Sequence, residues 1–123
     1  MTRQPILRYY RFYPWDAYMN GLDGFAFWTS GGCSGDDGWD SRDGYDDGAT
    51  WRGLDKKRVP TKMLEAVREG LEDVAYMAML EKTDSAEARA LLEQRAALIE
   101  AKDQKQVDAW RLAVGRLIDG TAR

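Results

Sequence analysis

From Thr29 to Gly48 the chain places six glycines and six aspartates among twenty residues. Glycine loses the most conformational freedom on ordering, and aspartate competes for turns and caps, so neither a helix nor a strand is expected to run through this stretch. A loop of this length is uncommon in a compact domain unless it is functional or disordered. It also holds Trp39 and Tyr45, and aromatic residues are scarce in disordered linkers, so partial order is expected. The stretch divides an aromatic-rich N-terminal segment from a helix-forming C-terminal one.

The 123 residues are expected to form one domain. A net charge of -3 gives no general attraction to nucleic acid, and the basic cluster Lys56, Lys57 and Arg58 reads as a solvated turn. The chain has no histidine, which removes Ser-His-Asp and Cys-His chemistry and His-ligated metals. Its one cysteine, Cys33, cannot close an internal disulfide and has no neighbouring base to activate it. No apolar run approaches the ~20 residues of a membrane span, and the N-terminus lacks a signal-peptide pattern. No cofactor, nucleic-acid partner or membrane partner is expected, and the sequence fixes no compartment.

Between Pro5 and Asn20, apolar and aromatic residues recur three and four apart, as in a helix. Pro14 inside it predicts a bend, or two short helices meeting near Tyr13–Pro14. Asn20-Gly21 suits a positive-φ cap. The run Gly24-Phe25-Ala26-Phe27-Trp28 has no polar alternation and predicts one short strand buried on both faces. Ala49–Arg52 is expected to be a short extended piece, and either it or another molecule must partner that strand.

A helix is expected from about Thr61 to Lys82, with Leu64, Val67, Leu71, Val74, Ala75 and Ala78 as its buried face. Gly70 within it should weaken it by roughly 1 kcal/mol relative to alanine. Asp84 with Glu87 predicts a capping-box start to the next helix, which runs to about Lys102 and is weakly separated from a last helix ending at Asp119-Gly120. Trp110 reads as packing.

Tryptophan offers a flat apolar face to a sugar ring, and aspartate accepts its hydroxyl hydrogen bonds. On that basis Trp28, Trp39 and Asp37 are the candidate substrate-binding residues. A calcium loop fits poorly: counted from Asp43, an EF-hand would need acidic ligands where Tyr45 and Leu54 stand. No catalytic or metal-binding residue is assigned. Asp36, Asp37, Asp40 and Asp43 lack an apolar pocket that would raise one pKa for glycoside hydrolysis.

Several motifs in order, Tyr10-Arg11, Pro14-Trp15, Gly21 to Trp28, Trp39, Val59-Pro60-Thr61 and Leu64 to Asp73, resemble the C-terminal end of the glycoside hydrolase family 123-like catalytic domain, also called domain of unknown function 4091. The resemblance implies a C-terminal fragment of a (β/α)₈ barrel (helix, strand, long loop, helix) followed by a helical pair: a mostly α chain with one or two short strands. Residues 1–82 would be the barrel end and 83–123 a helical extension packed on it. A full barrel needs ~250 residues, so the missing half would come from elsewhere or be replaced by self-association. The parent would be a β-N-acetylhexosaminidase-type enzyme. Its acidic pair lies outside the matched stretch, which leaves open whether this chain is itself an enzyme. This chain would supply one aromatic wall of a carbohydrate site. Arg68, Glu69, Glu72 and Asp73 would tie the helix to the barrel. The alternative is a small helical oligomerising or protein-interaction module without catalysis.

Overall fold

The computed structural model describes residues 9–26, 50–52, 58–60 and 62–121. Helix α1 spans Phe12–Met19, and strands β1 (Thr50–Arg52) and β2 (Arg58–Pro60) precede helix α2 (Lys62–Glu81). Helices α3 (Ala86–Glu93) and α4 (Arg95–Ala101) form one helical arm broken at Gln94, and α5 covers Gln104–Thr121. No helix among the described residues is long and apolar enough to cross a membrane.

The barrel-fragment expectation is corrected. The described residues are mostly helical, and Gly24–Ala26 carries no strand: Gly24 and Ala26 are exposed and Phe25 is half-buried. The two three-residue strands pair with each other antiparallel, Trp51 opposite Val59. Barrel strands are parallel and lie inside a ring of helices, so this ribbon is not a barrel edge. A continuous apolar run of five residues does not distinguish a buried strand from a segment with one anchoring ring. Here Phe25 packs against the small cluster of Tyr10, Met63, Ala66 and Val67. Phe27 and Trp28 lie outside the described residues.

Helix α1 begins where the chain can tolerate its proline. Residues 9 and 10 are helical, Arg11 interrupts as a turn, and Pro14 then falls in the first turn of α1, where its missing N–H removes no intrahelical bond. The two short helical pieces therefore meet at Arg11 and not at Tyr13–Pro14. As the sequence predicts, Gly21 ends the helix with φ +67°; its N–H and that of Leu22 bond the Tyr18 and Ala17 carbonyls at 3.1 and 2.9 Å.

Helix α2 is central and contacts α1, α3 and α5. Its buried side is Met63, Ala66, Val67, Gly70, Asp73, Met77 and Leu80. Of the face expected from spacing, only Val67 is buried, and Leu71 is 50% exposed. Close approach by α1 makes the choice. A Cβ on Gly70 would lie 2.2 Å from the Arg11 carbonyl oxygen and 3.0 Å from Pro14, so α1 can seat only on the side where residue 70 has no side chain. The glycine that weakens α2 as an isolated helix is what lets α1 pack closely against it.

The core draws on α1 to α5: Phe12 and Trp15 from α1, Met77 and Leu80 from α2, Ala88 from α3, Leu98 from α4, and Val107, Trp110 and Val114 from α5. Trp15 and Trp110 pack with ring centroids 5.1 Å apart and planes inclined at 55°, and the Trp110 indole N–H donates to the Leu91 carbonyl at 2.9 Å. Trp110 is packing, as expected.

The helix ends differ in detail from the sequence pattern. Ser85 caps α3, its hydroxyl accepting from the Ala88 N–H at 3.0 Å. Asp84 instead pairs with Arg89 at 2.7 Å. Lys102 adopts φ +47° and Asp103 accepts from the Lys105 N–H at 2.9 Å, so α4 and α5 are separated by a full break.

Candidate functional site

The chemically richest cluster lies where α1, α2 and α5 meet, centred on Asp73. This carboxylate is fully buried. It sits on the α2 face with Ala66, Gly70, Met77 and Leu80, so the helix carries it into the core with its apolar neighbours. Arg11, at the turn before α1, meets it with two nitrogens, Nε to Oδ2 at 2.8 Å and Nη2 to Oδ1 at 3.1 Å. The Trp15 indole N–H, one helical turn along, donates to Oδ2 at 3.1 Å. Arg111 from α5 adds Nη1 to Oδ1 at 3.4 Å. A buried carboxylate is tolerated only when charged and hydrogen-bonding partners replace water, and four donors do so here.

The network continues outward. The remaining Arg11 nitrogen, Nη1, donates to Asp108 at 2.7 Å. Arg111 pairs with Glu69 at 2.5 Å and with Glu72, and its guanidinium carbon lies 5.3 Å from the Tyr76 ring centre. On the exposed edge of α2, Arg68 binds Glu65 and Glu72, its Nη1 reaching the latter at 2.9 Å. Burial pulls the Arg11 pKa down, hydrogen bonds to Asp73 and Asp108 push it up, and the net direction is up. Arg111 behaves alike, with burial opposed by Glu72 and Glu69. The hydrogen bond from Arg111 holds Glu72 below its ordinary value, against burial.

A second polar clamp joins α1, α2 and α4. The Tyr18 hydroxyl donates to Glu81 at 2.6 Å and Arg95 reaches the other oxygen at 2.8 Å. That hydrogen bond lowers the Glu81 pKa and, with burial, raises that of Tyr18.

These carboxylates are engaged by guanidinium groups or hydroxyls. The arrangement orients helices, and of its carboxylates Asp108, held by Arg11, lines a cavity. Among the described residues no group of three His, Cys, Asp or Glu is placed to hold a metal. An open cavity of about 470 Å³ lies beside the network, between Tyr76 and α5.

The sequence-derived site residues Trp28, Trp39 and Asp37 lie outside the described residues, so the structure neither joins nor separates them. The expectation that Arg68, Glu69, Glu72 and Asp73 tie the helix to a barrel is corrected: Asp73 holds Arg11, Trp15 and Arg111, Glu69 and Glu72 hold Arg111 of α5, and Arg68 pairs with glutamates of α2 itself. Sequence reasoning missed Arg11, Asp108 and Arg111. A signal was available: Asp73 stands between Gly70 and Met77 at helical spacing on a face with Ala66 and Leu80, and a charge on such a face requires a partner.

Comparison of the chain with protein-family models, curated proteins and solved structures finds no match in any of the three.

Proposed function

We propose that the chain is a helical protein-interaction module. The observation that carries this reading is the set of large apolar side chains left outside a core that is already filled: Leu71 and Met79 on α2 and Leu112 on α5 are 50%, 41% and 56% exposed. Both helices already bury one side, so these residues form outer faces. Large apolar side chains on the outside of a helical domain are available to the apolar centre of a protein contact. The inward-facing charges support the same reading, because they are spent on fixing the helices that display those faces.

Photo-crosslinking side chains at positions 71, 79 and 112 test it, with position 93, an exposed polar site, as control. Protein adducts are expected from the apolar positions in the producing cell, with mass spectrometry separating self-adducts from others. Adducts no more abundant than at position 93 would overturn the module.

A carbohydrate role for Trp28, Trp39 and Asp37 is a second proposal, supported by the sequence resemblance and by the aromatic and acidic make-up of that stretch. It no longer rests on a barrel. Glycan titration followed by tryptophan fluorescence should give a saturable change that Trp28→Ala or Trp39→Ala removes; no change with any amino sugar oligomer would end it.

A further inference from the structure

Helix α5 presents an outward face that is complementary to itself. Its centre is Leu112, 56% exposed. Ala109 and Gly115 stand three residues to either side, Asp108 and Arg116 four, and Lys105 and Asp119 seven. At 3.6 residues per turn, steps of three, four and seven remain on one face. A second copy of the helix, turned end for end about Leu112, brings each residue opposite the one equally far on the other side. Asp108 then faces Arg116, Lys105 faces Asp119, Ala109 faces Gly115, and Leu112 meets Leu112. Both charge layers are opposite in sign, and each occurs twice by symmetry, as in any isologous two-fold interface.

We propose that the partner of this face is a second copy of the chain, docked antiparallel through α5. The inference rests on the interaction-module reading and names its partner. Three further features fit it. Neither Arg116 nor Lys105 has an ion-pair partner among the described residues, and Asp108, although it holds Arg11, keeps its side chain 64% exposed. Gly115 weakens an isolated helix, and the fold does not require it: an added Cβ would come only to 3.8 Å from Tyr76. Opposite Ala109, a residue without a side chain lets two helix backbones approach closely. The cavity of about 470 Å³ beside Leu112 and Gly115 gives the incoming side chains room.

The test is sedimentation of the full chain over a concentration series reaching the millimolar range, with thermal melting of every variant. The wild type should show a reversible monomer–dimer equilibrium that weakens with salt. Leu112→Glu alters only a surface position and should raise the dissociation constant roughly tenfold or more without lowering the melting temperature. Arg116→Asp places like charges opposite Asp108 and should do the same, and adding Asp108→Arg should restore association. Asp108 also binds Arg11, so the swap Lys105→Glu with Asp119→Lys provides the same rescue test away from that contact. A wild type that stays monomeric, or a dimer indifferent to Leu112→Glu and to both swaps, overturns the proposal. Hetero-adducts from position 112 with no self-adduct would overturn self-docking and leave the interaction module standing; no adducts at 71, 79 or 112 would overturn both.

Discussion

Two glycines on neighbouring helices have opposite consequences, and the difference is what a Cβ would meet. At Gly70 it would lie 2.2 Å from the Arg11 carbonyl oxygen, a backbone atom that cannot swing aside. Gly70→Ala is expected to lose about 1–3 kcal/mol in urea unfolding despite the better helix propensity of alanine. At Gly115 the nearest atom is Tyr76 Cε1 at 3.8 Å, so Gly115→Ala should gain up to about 1 kcal/mol. Asp73 is the other decisive residue. Asp73→Asn leaves the Arg11 guanidinium, 5% exposed, without its buried counter-charge, and the expected loss is about 3–5 kcal/mol. Replacing Arg11 and Asp73 together by apolar residues should cost less than the two single changes added, because neither charge is then stranded. A strictly additive double-mutant cycle would show that the pair is not coupled.

Among the elements, α1 is held by specific contacts more than by propensity. It is eight residues long, too short to be stable alone, and its ends are fixed by Arg11 on Asp73 and Tyr18 on Glu81. The α3–α4 arm depends more on local chemistry. Ser85→Ala removes the hydroxyl that accepts from Ala88 and should cost about 1 kcal/mol, visible as faster amide exchange in residues 86–89. Unchanged exchange there would mean Asp84 caps in its place. The Glu81 clamp ties this arm to α1 and α2, and its pH dependence has a definite sign. Glu81 has a folded pKa below the ordinary 4.5, as does Glu72. The stabilisation each supplies is therefore complete above about pH 4.5 and fades as pH falls through the lower folded value. The melting temperature should drop on that acid limb, and Glu81→Gln should flatten part of the drop; a melting temperature flat down to strongly acid pH would contradict it.

For the whole molecule, the helix-forming half and its order were legible from the sequence: α2 within a residue of its expected ends, the cap at Gly21, the extended piece at Thr50–Arg52, and Trp110 as packing. These follow from local chemistry, since turn, cap and 3.6-residue periodicity are written in neighbouring residues. The barrel assignment failed at Gly24–Ala26 because an apolar run states only that some of it is buried, not against what. The buried face of α2 was misplaced for a related reason. That helix has two apolar sides, and spacing ranks the one containing Leu71 and Val74 above the one interrupted by Asp73. The second became the core once Arg11, Trp15 and Arg111, between 38 and 62 residues away in sequence, neutralised that carboxylate and Gly70 admitted α1. The sequence by itself determined which stretches of the C-terminal half are helical and that α1 ends at Gly21, because those choices close within a turn or two; it did not determine the break at Gln94. Only the tertiary structure decided which side of α2 faces inward, because burying a charge is permitted or forbidden by partners that the chain brings together from distant positions.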